Sequence, residues 1–361
     1  MEDLNHNLSF YMSANAPNGF FSYCDDITSA PHSRMYILKG GPGTGKSSLM
    51  KKIAAAAQTD HEVELIYCSS DPDSLDALII KDLSVIMIDG TAPHVVDPTY
   101  PGAVDEIINL GAYWNNASLV SQKEDIIRLT TQYKMCFEQA YHYLAAAKKF
   151  RDDSTSIILG AVHYERLHKL TKRIIKKELR GRTGETGVIK KRFLSGIGPK
   201  GVYPLFDGLP AQDYRVYQLN DAYHIAVDML REIAKTAADL GLTAYTCYCP
   251  FSPDTDIEHV LIPELRLAFV TSNHYHPYPH AALRTINLSR YLEPAVIKLR
   301  RARLRFNTKM TNAVLDSAIA QLREAKKLHD ALEEIYIGQM QFRRINALTK
   351  TLMDEIQSFA P

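Results

Sequence analysis

Met35-Tyr36-Ile37-Leu38-Lys39-Gly40-Gly41-Pro42-Gly43-Thr44-Gly45-Lys46-Ser47-Ser48 decides how the rest of the chain is read. Met35 to Leu38 is a short apolar, β-prone run, and Ser47 to Ala57 has helical spacing. Between them, residues 40–47 fit the pattern G-x-x-x-x-G-K-[ST] in full. Glycines let successive backbone N–H groups turn inward around phosphate oxygens, and a helix N-terminus adds partial positive charge. Lys46 is expected to reach the β- and γ-phosphates, and Ser47 to offer its hydroxyl to Mg²⁺. Gly40, Gly41, Pro42, Gly43, Thr44, Gly45, Lys46, Ser47 and Ser48 form the expected phosphate-binding set.

Such a loop needs a second metal anchor, usually an aspartate ending a neighbouring apolar strand. Asp89 closes the run Leu83-Ser84-Val85-Ile86-Met87-Ile88, which reads as a strand buried in a parallel sheet. The residue after Asp89 is Gly90, where many hydrolytic relatives of this motif carry a water-polarising glutamate, so the base is unassigned. Asp71 and Asp73, in the loop Cys68-Ser69-Ser70-Asp71-Pro72-Asp73-Ser74, are candidates to orient water or an acceptor hydroxyl. Turns and helix caps use the same residue types. His94 is a further polar candidate, with a structural role favoured because His276 repeats it.

Outward from the loop, the chain repeats itself once. Gly19-Phe20-Phe21-Ser22-Tyr23 aligns with Gly201-Val202-Tyr203-Pro204-Leu205 at an offset of 182, and Ala147-Lys148-Lys149 with Ala325-Lys326-Lys327 at 178. Leu170-Thr171-Lys172 and Leu348-Thr349-Lys350 share that last offset. The expected organisation is a tandem duplication with domains over 1–182 and 190–361, joined by the polar, glycine-rich segment 180–187. Strands alternating with helices imply an α/β fold with a parallel sheet in each copy, and Val63 to Cys68 reads as a second strand. Leu75 to Ile80 is read as a short helix. Each sheet is followed by a long helical hairpin, carrying Ile126, Leu129, Tyr133, Phe137, Ala140, Leu144 and then Leu167, Leu170, Ile174 in the first copy.

The second copy has lost the loop. Leu219-Asn220-Asp221-Ala222-Tyr223-His224-Ile225-Ala226-Val227-Asp228 aligns with it and contains neither glycine nor lysine, while Thr271 stands in place of Asp89. One nucleotide site per chain is expected.

Composition sets bounds on the rest. The 361 residues correspond to about 2.4 domains at roughly 150 residues each. With 46% hydrophobic and 23% charged residues the chain is an ordinary globular one, and 42 basic against 41 acidic side chains leave no global field for nucleic acid or membranes. No apolar run reaches the roughly 20 residues of a membrane span, and the start Met1-Glu2-Asp3-Leu4-Asn5 lacks a signal-peptide pattern, so a cytoplasmic location is expected. Five scattered cysteines suit a reducing compartment. The basic groups Lys172, Arg173, Lys176, Lys177, Arg180, Arg182 and Lys298, Arg300, Arg301, Arg303, Arg305 read as solvated helix faces before nucleic-acid contacts. Arg180 and Arg182 are also weighed as lid arginines over a γ-phosphate. Three histidines in His274-Tyr275-His276-Pro277-Tyr278-Pro279-His280 lack a fourth zinc ligand.

Lys39 to Ser47, Tyr67-Cys68-Ser69-Ser70-Asp71 and Asp89-Gly90-Thr91-Ala92-Pro93-His94 together resemble an uncharacterised bacterial family of duplicated P-loop ATPase-like proteins. The resemblance covers nearly the whole chain and implies Lys46, Ser47 and Asp89 as nucleotide-site positions. Its members usually carry a glycine-rich loop in both halves, from which this second half departs. The expected function is Mg²⁺-dependent ATP binding with slow hydrolysis and nucleotide-dependent movement. A small-molecule or nucleotide kinase, and a nucleotide-gated module binding a protein or nucleic acid through its helical hairpins, are the alternatives.

Overall fold

The computed structural model describes residues 7–179 and 186–359. Arg180, Arg182 and most of the connecting segment lie outside the described residues. The first half runs β1 (Leu8–Tyr11), β2 (Ser13–Ala16), β3 (Gly19–Ser22), α1 (Cys24–Thr28), β4 (Arg34–Lys39), α2 (Lys46–Ala57), β5 (Val63–Tyr67), β6 (Leu75–Ile80), β7 (Val85–Asp89) and β8 (Asp105–Asn109). Helices α3 (Asn116–Ser121), α4 (Lys123–Leu159) and α5 (Tyr164–Glu178) follow. The second half repeats the series as β9 (Ile189–Arg192), β10 (Ser195–Gly198), β11 (Gly201–Pro204), α6 (Gly208–Ala211), β12 (Arg215–Asn220), α7 (Val227–Asp239), β13 (Ala244–Cys249), β14 (Ser252–Ile262), β15 (Leu267–Ser272) and β16 (Arg284–Asn287). Its hairpin is α8 (Pro294–Ile337) and α9 (Phe342–Gln357).

Each half holds a six-stranded sheet, ordered β1-β5-β6-β7-β4-β8 in the first and β9-β13-β14-β15-β12-β16 in the second. Strand for strand these are the same order. Ser84 and Arg266, 182 positions apart, even share a left-handed backbone, at φ 54° and 43°.

Two expectations need correction. The sheets are mixed, because β6 and β14 run antiparallel to both neighbours while the remaining pairs are parallel. Leu75 to Ile80, read as a short helix, is this antiparallel strand β6, paired with β5 on one side and β7 on the other. A six-residue apolar run fits either structure, and ladder partners on both edges decide for the strand.

The hairpins exchange between halves. Leu167, Leu170 and Ile174 of α5 pack into a core with Met229, Leu230 and Ile233 of α7, in the second half. Ile345, Leu352 and Ile356 of α9 pack into the core of the first half, against Leu49, Met50 and Ile53 of α2. Between them α4 and α8 lie antiparallel along their length, since Asp153 meets Arg303 near one end and Tyr133 meets His329 near the other. Ala140, Leu144 and Ala147 face Leu315, Ala318 and Leu322 in the seam.

The halves are related by a pseudo-twofold axis. Tyr11 and Phe193, equivalent at the offset of 182, exchange N–H···O hydrogen bonds of 2.8 Å in both directions. The bridges Trp114–Met340 and Val162–Leu292 map onto each other at the offset of 178. Beside the axis, buried Arg192 donates to Glu64 at 2.8 Å and to Asp26 at 2.9 Å, and the Tyr245 hydroxyl donates to Glu64 at 2.7 Å. Burial alone would raise the Glu64 carboxyl, but Arg192 and Lys81 hold it below the usual range. Removing one member of such a buried pair costs about 3–5 kcal/mol, so this cluster ties the halves together.

Candidate functional site

The loop 40–45 leaves the end of β4 and enters α2 at Lys46. Gly43 and Gly45 take left-handed backbone conformations, at φ 67° and 90°, which glycine adopts without the Cβ penalty. Gly43 also meets a close neighbour, since a Cβ there would lie 2.7 Å from the carbonyl oxygen of Glu333. The Lys46 ammonium donates to the carbonyls of Gly40 and Gly41 at 2.8 and 2.9 Å. It also stands 3.6 Å from Asp89 Oδ2.

Asp89 ends β7, which is parallel to β4 with Leu38 opposite Asp89. The structure therefore brings Lys46 and Asp89 together as the sequence suggested. Asp89 Oδ1 accepts from Thr91 N at 2.9 Å, and the Thr91 hydroxyl reaches back to the Gly40 carbonyl at 3.1 Å. Burial pushes the Asp89 carboxyl up, against the opposing pull of Lys46 and Thr91. Ser47 Oγ accepts from Leu75 N at 3.0 Å, which ties the start of α2 to the start of β6.

The two loop aspartates have other partners. Asp71 accepts from the Ser74 hydroxyl at 2.8 Å, closing a turn, and lies 3.5 Å from Lys326. Asp73 is exposed and bonded to Lys200 at 2.8 Å, whose ammonium holds its carboxyl below the usual range. Both lysines belong to the second half. His94 is buried with its Nε2 3.3 Å from Asp76, and His276 is buried 3.4 Å from Glu258 in the second half. This pair recurs where the glycine loop does not. The three histidines of the 274–280 segment diverge: His274 is exposed, His276 turns inward, and His280 pairs with Asp207.

The second loop keeps part of its shape. His224, equivalent to Gly43, has φ 58°. Asp221, equivalent to Gly40, turns its buried carboxylate into the loop and accepts N–H bonds from Tyr223, Ile225 and Ala226 at 3.2, 3.1 and 2.8 Å. The chain thus fills its own anion cradle. Burial raises this carboxyl, while the three N–H donors stabilise its charge.

Sequence reasoning missed what covers the first loop. The carboxyl end of α8 brings Glu333 Oε1 to 3.3 Å from Gly43 N, and Tyr336 ring atoms to where a Gly41 Cβ would stand. Phe342, opening α9, lies over Gly45. Lys326, His329, Asp330, Glu333 and Tyr336 each have another of the set three or four residues away, and so share one helix face. Differences between the copies carried a signal: Arg151, Thr155 and Ile158 of α4 stand where α8 has His329, Glu333 and Tyr336. The exchange of hairpins, invisible in the sequence, gives those differences their meaning. Arg151 accordingly reaches the second loop, donating to His224 Nε2 at 2.5 Å.

Compared with protein-family models, curated proteins and solved structures, the chain matches none of them.

Proposed function

We propose that the chain binds Mg²⁺-ATP at residues 40–48 and hydrolyses it slowly. The observation that carries this reading is the strand–loop–helix of residues 34–57, with two left-handed glycines and Lys46 3.6 Å from the strand-end carboxylate of Asp89. Backbone N–H groups of the loop and the amino end of α2 would receive the phosphates, with Lys46 moving from the Gly40 and Gly41 carbonyls onto them. The oxygens of Ser47 and Asp89 suit a hard divalent cation, which when bound neutralises charge on the β- and γ-phosphate oxygens. Positioning and charge stabilisation are the bulk of what phosphoryl transfer asks of a protein.

The α8–α9 elbow contacts the loop directly, so filling the loop would bear on the hairpin of the opposite half. This supports nucleotide-dependent movement relayed along α8. Phosphate release from Mg²⁺-ATP, without any acceptor, is the test. Release by the native chain that Lys46→Ala abolishes is expected. Release dependent on an added metabolite would move the reading to a kinase, and unchanged ATP affinity in Lys46→Ala would remove the site.

A further inference from the structure

The reading above leaves one chemical role vacant, because Gly90 follows Asp89 where a water-polarising carboxylate would be expected. Resting on that reading, we infer that the second half supplies the missing base: Glu333 of α8 is the catalytic carboxylate of the first half's site. Three observations converge on it.

The first is contact. Glu333 Oε1 accepts from Gly43 N at 3.3 Å, inside the loop's own ring of N–H donors. Its backbone packs so closely that only glycine fits at position 43. The side chain is about one-third exposed (31%), so water has access to it.

The second is the comparison within the chain. The pseudo-twofold axis places α4 over the second loop as it places α8 over the first, yet α4 carries Thr155 at the position of Glu333. The half that retains the glycine loop and the strand-end aspartate is faced by the glutamate. The half that has lost both is not. By contrast Lys326 and Lys148 occupy one equivalent position in both helices and reach equivalent regions, Lys326 at Asp71 in the loop after β5 and Lys148 at Ser252, which opens β14 just after β13. Those lysines therefore follow the scaffold, whereas Glu333 follows the phosphate loop.

The third is elimination among neighbouring carboxylates. Asp71 is held by Ser74 and Lys326, Asp330 is paired with Lys326, Asp73 points outward to Lys200, and Asp89 is committed to Lys46 and Thr91. Among the described residues, Glu333 has a single weak N–H partner, with His329 Nδ1 3.8 Å away.

Phosphates entering the loop take over the Gly43 N–H and free the carboxylate beside them. A water oxygen donates its electron pair to the γ-phosphorus while the bond to the β–γ bridging oxygen breaks, and that electron pair leaves on ADP. The water proton passes to Glu333 and from there to solvent.

Glu333→Gln keeps the shape and removes the basicity. Single-turnover phosphate release is expected to fall by about 100-fold or more, in the range ascribed to general bases. ATP affinity, read with a fluorescent ATP analogue, should stay the same or tighten, since a competing carboxylate is gone. Glu333→Asp should recover part of the rate. Release by Glu333→Gln close to native, with Lys46→Ala inactive, overturns this inference and leaves the ATPase reading standing. A Glu333→Gln chain that loses ATP affinity along with rate also overturns it, because Glu333 would then only support the loop. Absence of Lys46-dependent ATP binding in the native chain removes both proposals together.

Discussion

Asp221 and Glu333 illustrate how single carboxylates divide the two halves. Asp221 is built into its own loop and satisfies three N–H donors permanently, whereas Glu333 arrives from another helix with one bond of 3.3 Å. A local carboxylate closes a site, and a remote, weakly held one can leave it. The same second loop borders a buried acid–base group whose pH response can be signed. His259 has no exposed surface, and its Nδ1 accepts from Thr271 N at 3.1 Å. Burial drives its imidazolium pKa down to about 3, with His276 and His224 adding repulsion and Glu258 opposing it. In an unfolded chain the value is about 6.5. Between those values the unfolded chain takes up a proton that the folded chain refuses. Stability should therefore fall as pH drops from 6.5 towards 3, by about 1.4 kcal/mol per pH unit for this one group. Glu258, which burial alone would raise but His276 holds well below its ordinary 4.5, adds a loss of the same sign below that pH. Urea unfolding at pH 7 and pH 5 checks this, and equal stabilities would contradict it.

At the scale of elements, the loop and its flanking strand and helix were legible because glycine, lysine and serine at fixed spacing have a local physical reason to be there. Asp89 was legible as the end of an apolar strand. The hairpins were legible as amphipathic helices, but a 3.6-residue period states that a face needs a partner without stating which. That is why the exchange, and with it Glu333, escaped the sequence: Gly43 and Glu333 are 290 positions apart. The β6 strand escaped for the opposite reason, six apolar residues being too few for any period to decide. The exchange makes a sharp prediction. Leu352 belongs to the second repeat but is buried, 2% exposed, in the core of the first half. Leu352→Ala should lower stability by about 2–5 kcal/mol through the cavity it leaves. A loss below about 1 kcal/mol in urea titrations would mean that α9 does not close that core.

For the whole molecule, duplication has produced a pseudo-dimer in one chain. Two sheets of identical strand order meet at the Tyr11–Phe193 hydrogen bonds, and each is roofed by the other's hairpin. One loop retains the phosphate-binding pattern and the other is filled by Asp221. Among the described residues no helix is long and apolar enough to cross a membrane. The second half keeps the strand order and the helix that reaches across, while its own loop is occupied by Asp221.

The proposed chemistry rests on a single nucleotide site formed by the first loop. Calorimetric titration of the native chain with a non-hydrolysable ATP analogue and Mg²⁺, repeated on Lys46→Ala, tests it most directly. One nucleotide bound per chain, and none in the variant, is expected. Two nucleotides per chain, or binding that survives Lys46→Ala, would contradict it.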